Sequence, residues 1–204
     1  MNTLATQKEN KHSFASILLV LVLFGTLGVL VLVPVHVFES VRVSEQDSIQ
    51  NWLGHEADQW VMLRIFDILQ LANHEMMQVI DGVAISGNNK IDGWLIQRVY
   101  ASLVWAHVVL YRGGVLLMWL AFGIPVVLAT FIDGYLRRQI SKTNFSSQSP
   151  VLHKSGMDIF KASSALLVSW MLIPWHITML AAPFGIFTIG AAAWLWISHA
   201  PKRI

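Results

Sequence analysis

The sequence predicts an all-α integral membrane protein: four transmembrane helices, with a helical hairpin on the outer face between the first and second. Three observations carry this. Of 204 residues, 55% are hydrophobic and only 13% are charged, too apolar a balance for an ordinary soluble domain of this size. The apolar residues collect in long runs, of which residues 14–37 and 113–132 approach the ~20 residues a helix needs to cross a ~30 Å hydrocarbon core. Finally, the charges are segregated by sign. The net charge of +2 hides a strong asymmetry along the chain, and that asymmetry sets orientation.

Residues 1–13 are polar, carry Lys8 and Lys11, and read as a cytoplasmic tail. Residues 14–37 are transmembrane helix 1. Their apolar run is longer than the ~7–15 residues of a cleavable signal core and exits through Pro34 and His36, so an uncleaved anchor is expected. Residues 38–112 hold nine acids, Glu39, Glu45, Asp47, Glu56, Asp58, Asp67, Glu75, Asp81 and Asp92, against Arg42, Arg64, Lys90, Arg98 and Arg112. This acidic balance assigns the region to the outer face. Within it Ile49, Trp52, Leu53, Trp60, Leu63 and Phe66 recur at three- and four-residue steps, which predicts a helix from Ser44 to Ile80. Gly82 and the cluster Ser86-Gly-Asn-Asn89 end it, and a second helix restarts near Ile91. No proline separates that arm from the next membrane segment, so one helix running into the bilayer is expected.

Transmembrane helix 2 covers residues 113–132, with Pro125 inside it and a kink expected there. At Asp133 the apolar run stops and Arg137-Arg138 follow. An arginine at the bilayer centre costs at least ~2.5 kcal/mol on the mildest scale, so the helix is expected to leave the membrane at Asp133-Gly134. The loop 133–158, with Arg137, Arg138, Lys142, Lys154 and a serine-rich turn ending in Pro150, is cytoplasmic by the positive-inside rule. Residues 159–175 form transmembrane helix 3. A tight outer turn at Pro174, His176 and Pro183 leads to transmembrane helix 4, residues 183–198, and residues 199–204 close on the basic side. Small residues at Gly25, Gly28, Ser163, Ser164 and Gly190-Ala-Ala-Ala193 permit close helix approach and leave room for a homo-oligomer.

Several chemistries find no support in the residues. The absence of cysteine excludes structural disulfides and Cys-ligated metal centres. His55, Glu56 and Asp58, and likewise His74 and Glu75, lack the spacing of a zinc helix and read as solvated helix faces. Ser149, His153 and Asp158 have no nucleophile elbow around them, and no glycine-rich phosphate loop with its lysine occurs. Asp133 beside Arg137 reads as a helix-end salt bridge. We therefore expect no catalytic residues, no cofactor and no metal.

The motif at the end of transmembrane helix 2 resembles the hallmark of a family of integrating conjugative element membrane proteins, defined by a domain of unknown function. There a membrane helix ends in Val-Asp-Gly-x-x-Arg-Arg, and a Ser-Ser-x-x-x-His-x-x-Lys-like stretch precedes two hydrophobic segments. Here the corresponding residues are Asp133, Gly134, Arg137, Arg138, His153 and Lys154. Ile132 replaces the valine, and Lys154 directly follows the histidine. The resemblance implies a component of conjugative DNA transfer in the bacterial inner membrane, multi-pass, beside a type IV secretion or coupling complex. Its partners would be the coupling ATPase, other transfer-machinery membrane proteins and the phospholipid bilayer, with no direct nucleic-acid binding. The six motif residues are the candidate partner-binding site. A small transporter or channel subunit is the alternative from another class, and it would need polar groups facing a central cavity.

Overall fold

A computed structural model describes residues 14–84, 89–144 and 149–200. The tail with Lys8 and Lys11, the break at Ser86-Gly-Asn88, the serine turn at 145–148 and the basic Lys202-Arg203 lie outside the described residues. Among the described residues there are six helices and no strand: α1 (Phe14–Leu32), α2 (Val35–Leu53), α3 (His55–Ala84), α4 (Asn89–Thr143), α5 (Pro150–Leu172) and α6 (Ala181–Ser198).

Three helix boundaries depart from the sequence-based expectation, each for a local reason. The run 14–37 is not one helix. α1 ends at Leu32 and α2 starts at Val35, the two meeting at 108°, because Pro34 lacks an amide hydrogen and pushes the residue before it out of helical geometry. α2 therefore begins nine residues before the Ser44 start read from the periodicity. The expected arm from Ser44 to Ile80 is likewise divided, at Gly54, whose φ of 87° is a left-handed conformation open to glycine at no steric cost. Nor does the helix at Asp133-Gly134 stop: α4 runs on through Arg137 and Arg138 to Thr143.

α4 is the axis of the molecule. Its 55 residues amount to ~80 Å at 1.5 Å per residue, and its length unites the expected second arm of the hairpin with the apolar run 113–132, as the lack of an intervening proline suggested. Pro125 lies inside it. Its first half packs against α2 and α3. Phe38, Ala101 and Val104 are buried where α2 meets α4, and Ile49, Val61, Ile65, Tyr111, Val115, Trp170, Met179 and Ala182 form the larger core where α2, α3, α4, α5 and α6 converge.

The second half of α4 packs on α6, and α6 in turn on α5. Glycines sit at these crossings. A Cβ on Gly134 would lie 3.2 Å from the Trp194 carbonyl oxygen, and one on Gly156 would lie 2.5 Å from the Trp196 nitrogen. Pairing Gly123 with Ile186 and Gly134 with Trp194 makes α6 run parallel to α4; pairing Gly156 with Trp196 and Leu167 with Gly185 makes α5 antiparallel to both. The ladder of small residues is the packing code of membrane helices, where apolar side chains gain nothing by leaving lipid for protein and close backbone approach supplies the attraction instead.

Among the described residues two helices are long and apolar enough to cross a membrane, Asp92–Thr143 and Ala181–Ser198, or three if the bent pair α1–α2 counts as one span. In α5 the charges Lys154, Asp158 and Lys161 occupy the first half, leaving only its second half free of charge.

The glycine contacts predict an asymmetry. Gly156→Ala meets backbone that cannot swing aside and should cost ~1–3 kcal/mol, read as a lower melting temperature in detergent. Gly25→Ala, with nothing within 4 Å of the added carbon, should leave melting unchanged or raise it. Equal melting of the two variants would contradict the packing.

Candidate functional site

The six motif residues lie on α4 and α5 where both meet the last two turns of α6. Asp133, Gly134 and Arg137 are within about one turn of each other on α4, and all three meet one residue of α6, Trp194. The indole Nε1–H donates to Asp133 Oδ2 at 2.6 Å. The guanidinium of Arg137 lies over the same ring, 5.0 Å from its centroid, at a distance where the ring quadrupole attracts a cation. Gly134 lets the α4 backbone close on Trp194. Asp133 and Arg137 are thus not the salt bridge expected of them: each is engaged by the tryptophan between them.

α5 grips the other side of the same turn. His153 Nδ1 is 3.0 Å from the Trp196 carbonyl oxygen, Gly156 abuts the Trp196 backbone, and Phe160 packs on the Trp196 ring with centroids 5.8 Å apart. The motif is therefore first a clamp. It fixes Trp194-Leu-Trp196 of α6 between α4 and α5, and in doing so it brings Asp133, Gly134, Arg137 and His153 to one end of the bundle. Arg138 is half-buried, while Arg137, Lys142 and Lys154 are exposed. Positive charge is left at the surface by a scaffold that holds Arg137 in one place.

A second polar assembly, at the opposite end of α5, escaped the sequence reading. Arg112 is 0% and Glu45 1% exposed, and they form a salt bridge. Arg112 Nε donates to Glu45 Oε1 at 2.9 Å, Nη2 to the same carboxylate and to the Trp175 carbonyl at 2.7 Å, and Nη1 to the carbonyls of Trp170 and, at 2.7 Å, Ile173. The ring of Trp170 lies 5.5 Å from the guanidinium carbon. Arginine suits this position because its planar fork can serve a carboxylate and several carbonyls at once. The last carbonyls of α5 would otherwise lack partners.

Beside it Asp58, 5% exposed, accepts hydrogen bonds from Tyr111 Oη at 2.9 Å, Gln50 Nε2 at 2.7 Å and Gln46 Nε2 at 3.1 Å. The solvated face expected for His55-Glu56-Ala57-Asp58 holds for the exposed His55 and Glu56 but not for Asp58. Its spacing to Val61 and Ile65, three and seven residues on, was the available signal, since it puts all three on the buried stripe of α3. Among the described residues no group of three or more His, Asp or Glu is placed to hold a metal.

An all-helical chain with helices of membrane-spanning length, clamped by an Asp-Gly-x-x-Arg-Arg motif, is the class of protein these features define. Residues 68–199 match the family model described as "IncC plasmid conjugative DNA transfer protein DtrJ-like", and the chain belongs to that DtrJ-like family. This is a conjugative DNA transfer family, in agreement with the resemblance carried by the motif. No curated protein and no solved structure matched the chain. The matched span takes in most of α3 and all of the clamp, and it leaves Glu45 outside.

The Asp58 cluster gives a pH dependence. Burial acts to raise its pKa, but the bonds donated by Gln50, Gln46 and Tyr111 outweigh it and hold the carboxyl below the ordinary aspartate value. A carboxyl with a depressed folded pKa adds stability that is complete above the unfolded value of ~3.9 and is lost as pH falls through the folded value. Melting temperature should therefore drop below about pH 4, and Asp58→Asn should flatten that part of the curve. A variant whose acid limb is as steep as the wild type would contradict the assignment.

Proposed function

We propose that the chain is a multi-pass component of the bacterial inner membrane, with four crossings and both ends cytoplasmic, that serves conjugative DNA transfer as a non-enzymatic partner of the coupling ATPase. Membership of a conjugative DNA transfer family supports the process. Support for the partner role comes from the clamp, whose ordered core ends in an exposed arginine. Arg137 is stacked on Trp194 and so has surrendered part of its rotamer freedom before any partner arrives, which lowers the cost of forming a new contact. Lys142 and Lys154 are exposed on the same side of the chain's charge pattern, and an acidic surface on a membrane-anchored partner is the chemistry they complement.

Orientation follows from charge. The acidic region 38–112 and the basic 133–158 segment are divided by the apolar half of α4, and the positive-inside rule puts the basic side in the cytoplasm. The 22 residues from Arg112 to Gly134 rise ~33 Å along α4, close to the thickness of a hydrocarbon core. On this reading the Arg112 assembly lies at the periplasmic boundary and the Trp194 clamp at the cytoplasmic one.

Two experiments test it. Alkaline phosphatase fused after Gly87 should be active and after Ser147 inactive; the reverse pattern overturns the orientation. Topology needs only positive charge, and Lys supplies that as well as Arg. A bidentate contact to a carboxylate needs the arginine fork. Arg137→Lys/Arg138→Lys should therefore reach the membrane at the wild-type level yet lose about tenfold in co-purification with the coupling ATPase, the effect of ~1.4 kcal/mol, with transfer frequency falling alongside. Full partner binding and full transfer by the lysine variant would remove the contact from the proposal.

A further inference from the structure

Contacts along α4 give each neighbouring helix a height. α2 runs parallel to α4, since Tyr100 donates to Glu39, Arg112 donates to Glu45, and Trp52 and Leu53 line one cavity with Trp119. α3 returns antiparallel: Val61 lies against Gly114, and Met76 accepts a hydrogen bond from Ser102. The turn at Gly54 is therefore the inward tip of a hairpin, seven residues or ~10 Å past Arg112 along α4. It stands level with the first turn of α6. Gly123 abuts Ile186, so five residues back on these two parallel helices Ala181 opens α6 at the height of Met118, and Leu180 lines the same cavity as Trp52.

We propose that the tip of the α2–α3 hairpin, from Trp52 to Trp60, sits in the outer interface of the bilayer, with its two tryptophans and Leu53 against lipid where headgroups meet acyl chains. The inference rests on the membrane reading given above and goes beyond it, since that reading sets the whole of 38–112 outside the bilayer. The height is where the apolar run of α6 begins, and the side chains suit it. Trp52 on the tip and Trp175 in the α5–α6 connection are 70% and 73% exposed, and amphipathic rings of this kind collect at headgroup level. Trp60 carries the Arg64 guanidinium over its ring, 5.2 Å from the centroid. Arg64 is one turn farther out on α3, at the height of lipid phosphates. Glu56, exposed at the tip, sets the limit of entry, because a carboxylate within the hydrocarbon is costly. Continuity singles out lipid over a protein partner. Leu117 on α4 and Phe184 on α6 are both exposed and bring the surface that the membrane reading gives to lipid up to this height, where the tip extends it sideways.

The chain has no cysteine, so single-cysteine variants of the full chain carry one nitroxide label each. Leu53→Cys and Gln59→Cys report on the tip, Leu128→Cys on the apolar half of α4, and Gln78→Cys on α3 far from the tip; all four positions are exposed, and each variant should melt as the wild type does. In vesicles of phosphatidylethanolamine and phosphatidylglycerol, relaxation of the label by oxygen, which concentrates in lipid, is compared with relaxation by a water-soluble nickel chelate. We expect the oxygen-to-nickel ratio at 53 and 59 to lie several-fold above that at 78 and below that at 128. A ratio at 53 and 59 equal to that at 78 overturns the inference, and so does shielding of both positions from both reagents, the mark of a covering protein or a second copy. Failure of the membrane reading shows separately, as a ratio at 128 no higher than at 78.

Discussion

Removing Arg112 would leave three helices, α2, α4 and α5, without their shared anchor. Its guanidinium, fully buried, holds Glu45 on α2 and the carbonyls of Trp170 in α5 and of Ile173 and Trp175 just beyond it, while its own backbone belongs to α4. Taking such a pair out of water costs several kcal/mol per ion, which only good geometry and further hydrogen bonds repay. Here both conditions hold. The carboxylate supplies two oxygens, and the end of α5 supplies the Trp170 carbonyl, which the helix itself leaves without a donor. The apolar core around Ile49, Val61 and Val115 can form only with this group already satisfied.

The same device recurs 14 residues earlier on α4. Arg98 Nη1 donates to the carbonyls of Leu30, Val31 and Val33 at 3.3, 3.1 and 2.9 Å, where Pro34 ends α1. A cation at a helix C-terminus opposes the negative end of the macrodipole, and it satisfies carbonyls that a hydrophobic helix cannot expose to lipid without penalty. α4 thus ends two apolar helices with two arginines. The first helices are not a separate domain resting on the others: α1 is fastened to α4 through Arg98 and α2 to α4 and α5 through Arg112.

How much of this could be read in the sequence depends on range. Helical class, the unbroken run of α4 from the second arm into its apolar segment and the small-residue contact at Gly190 follow from local pattern and were legible. The partners of Arg112 were not, because Glu45 is 67 positions away and nothing in either neighbourhood names the other. A clue existed in the placement of Arg112 between Val108-Val-Leu-Tyr111 and the apolar run that follows Gly113, where an unpaired cation would be costly. The motif illustrates the opposite case. Asp133, Gly134, Arg137 and Arg138 were recognisable as a group, yet their first task, holding Trp194, requires a residue 61 positions on. The helix ends were misplaced where single residues decide: Pro34 divides α1 from α2, and Gly54 divides α2 from α3, in stretches whose apolar periodicity carries on regardless.

The central claim is that Arg112 and Glu45 act as one unit joining α2 to α4 and α5. A double-mutant cycle tests it, with Glu45→Gln, Arg112→Met and the double variant unfolded in the same detergent. Each single change strands a buried partner, and the coupling between them should exceed ~2 kcal/mol, with the double variant still below the wild type because the α5 carbonyls stay unserved. Effects that add to within ~0.5 kcal/mol would show that the pair is not the joint on which the fold depends.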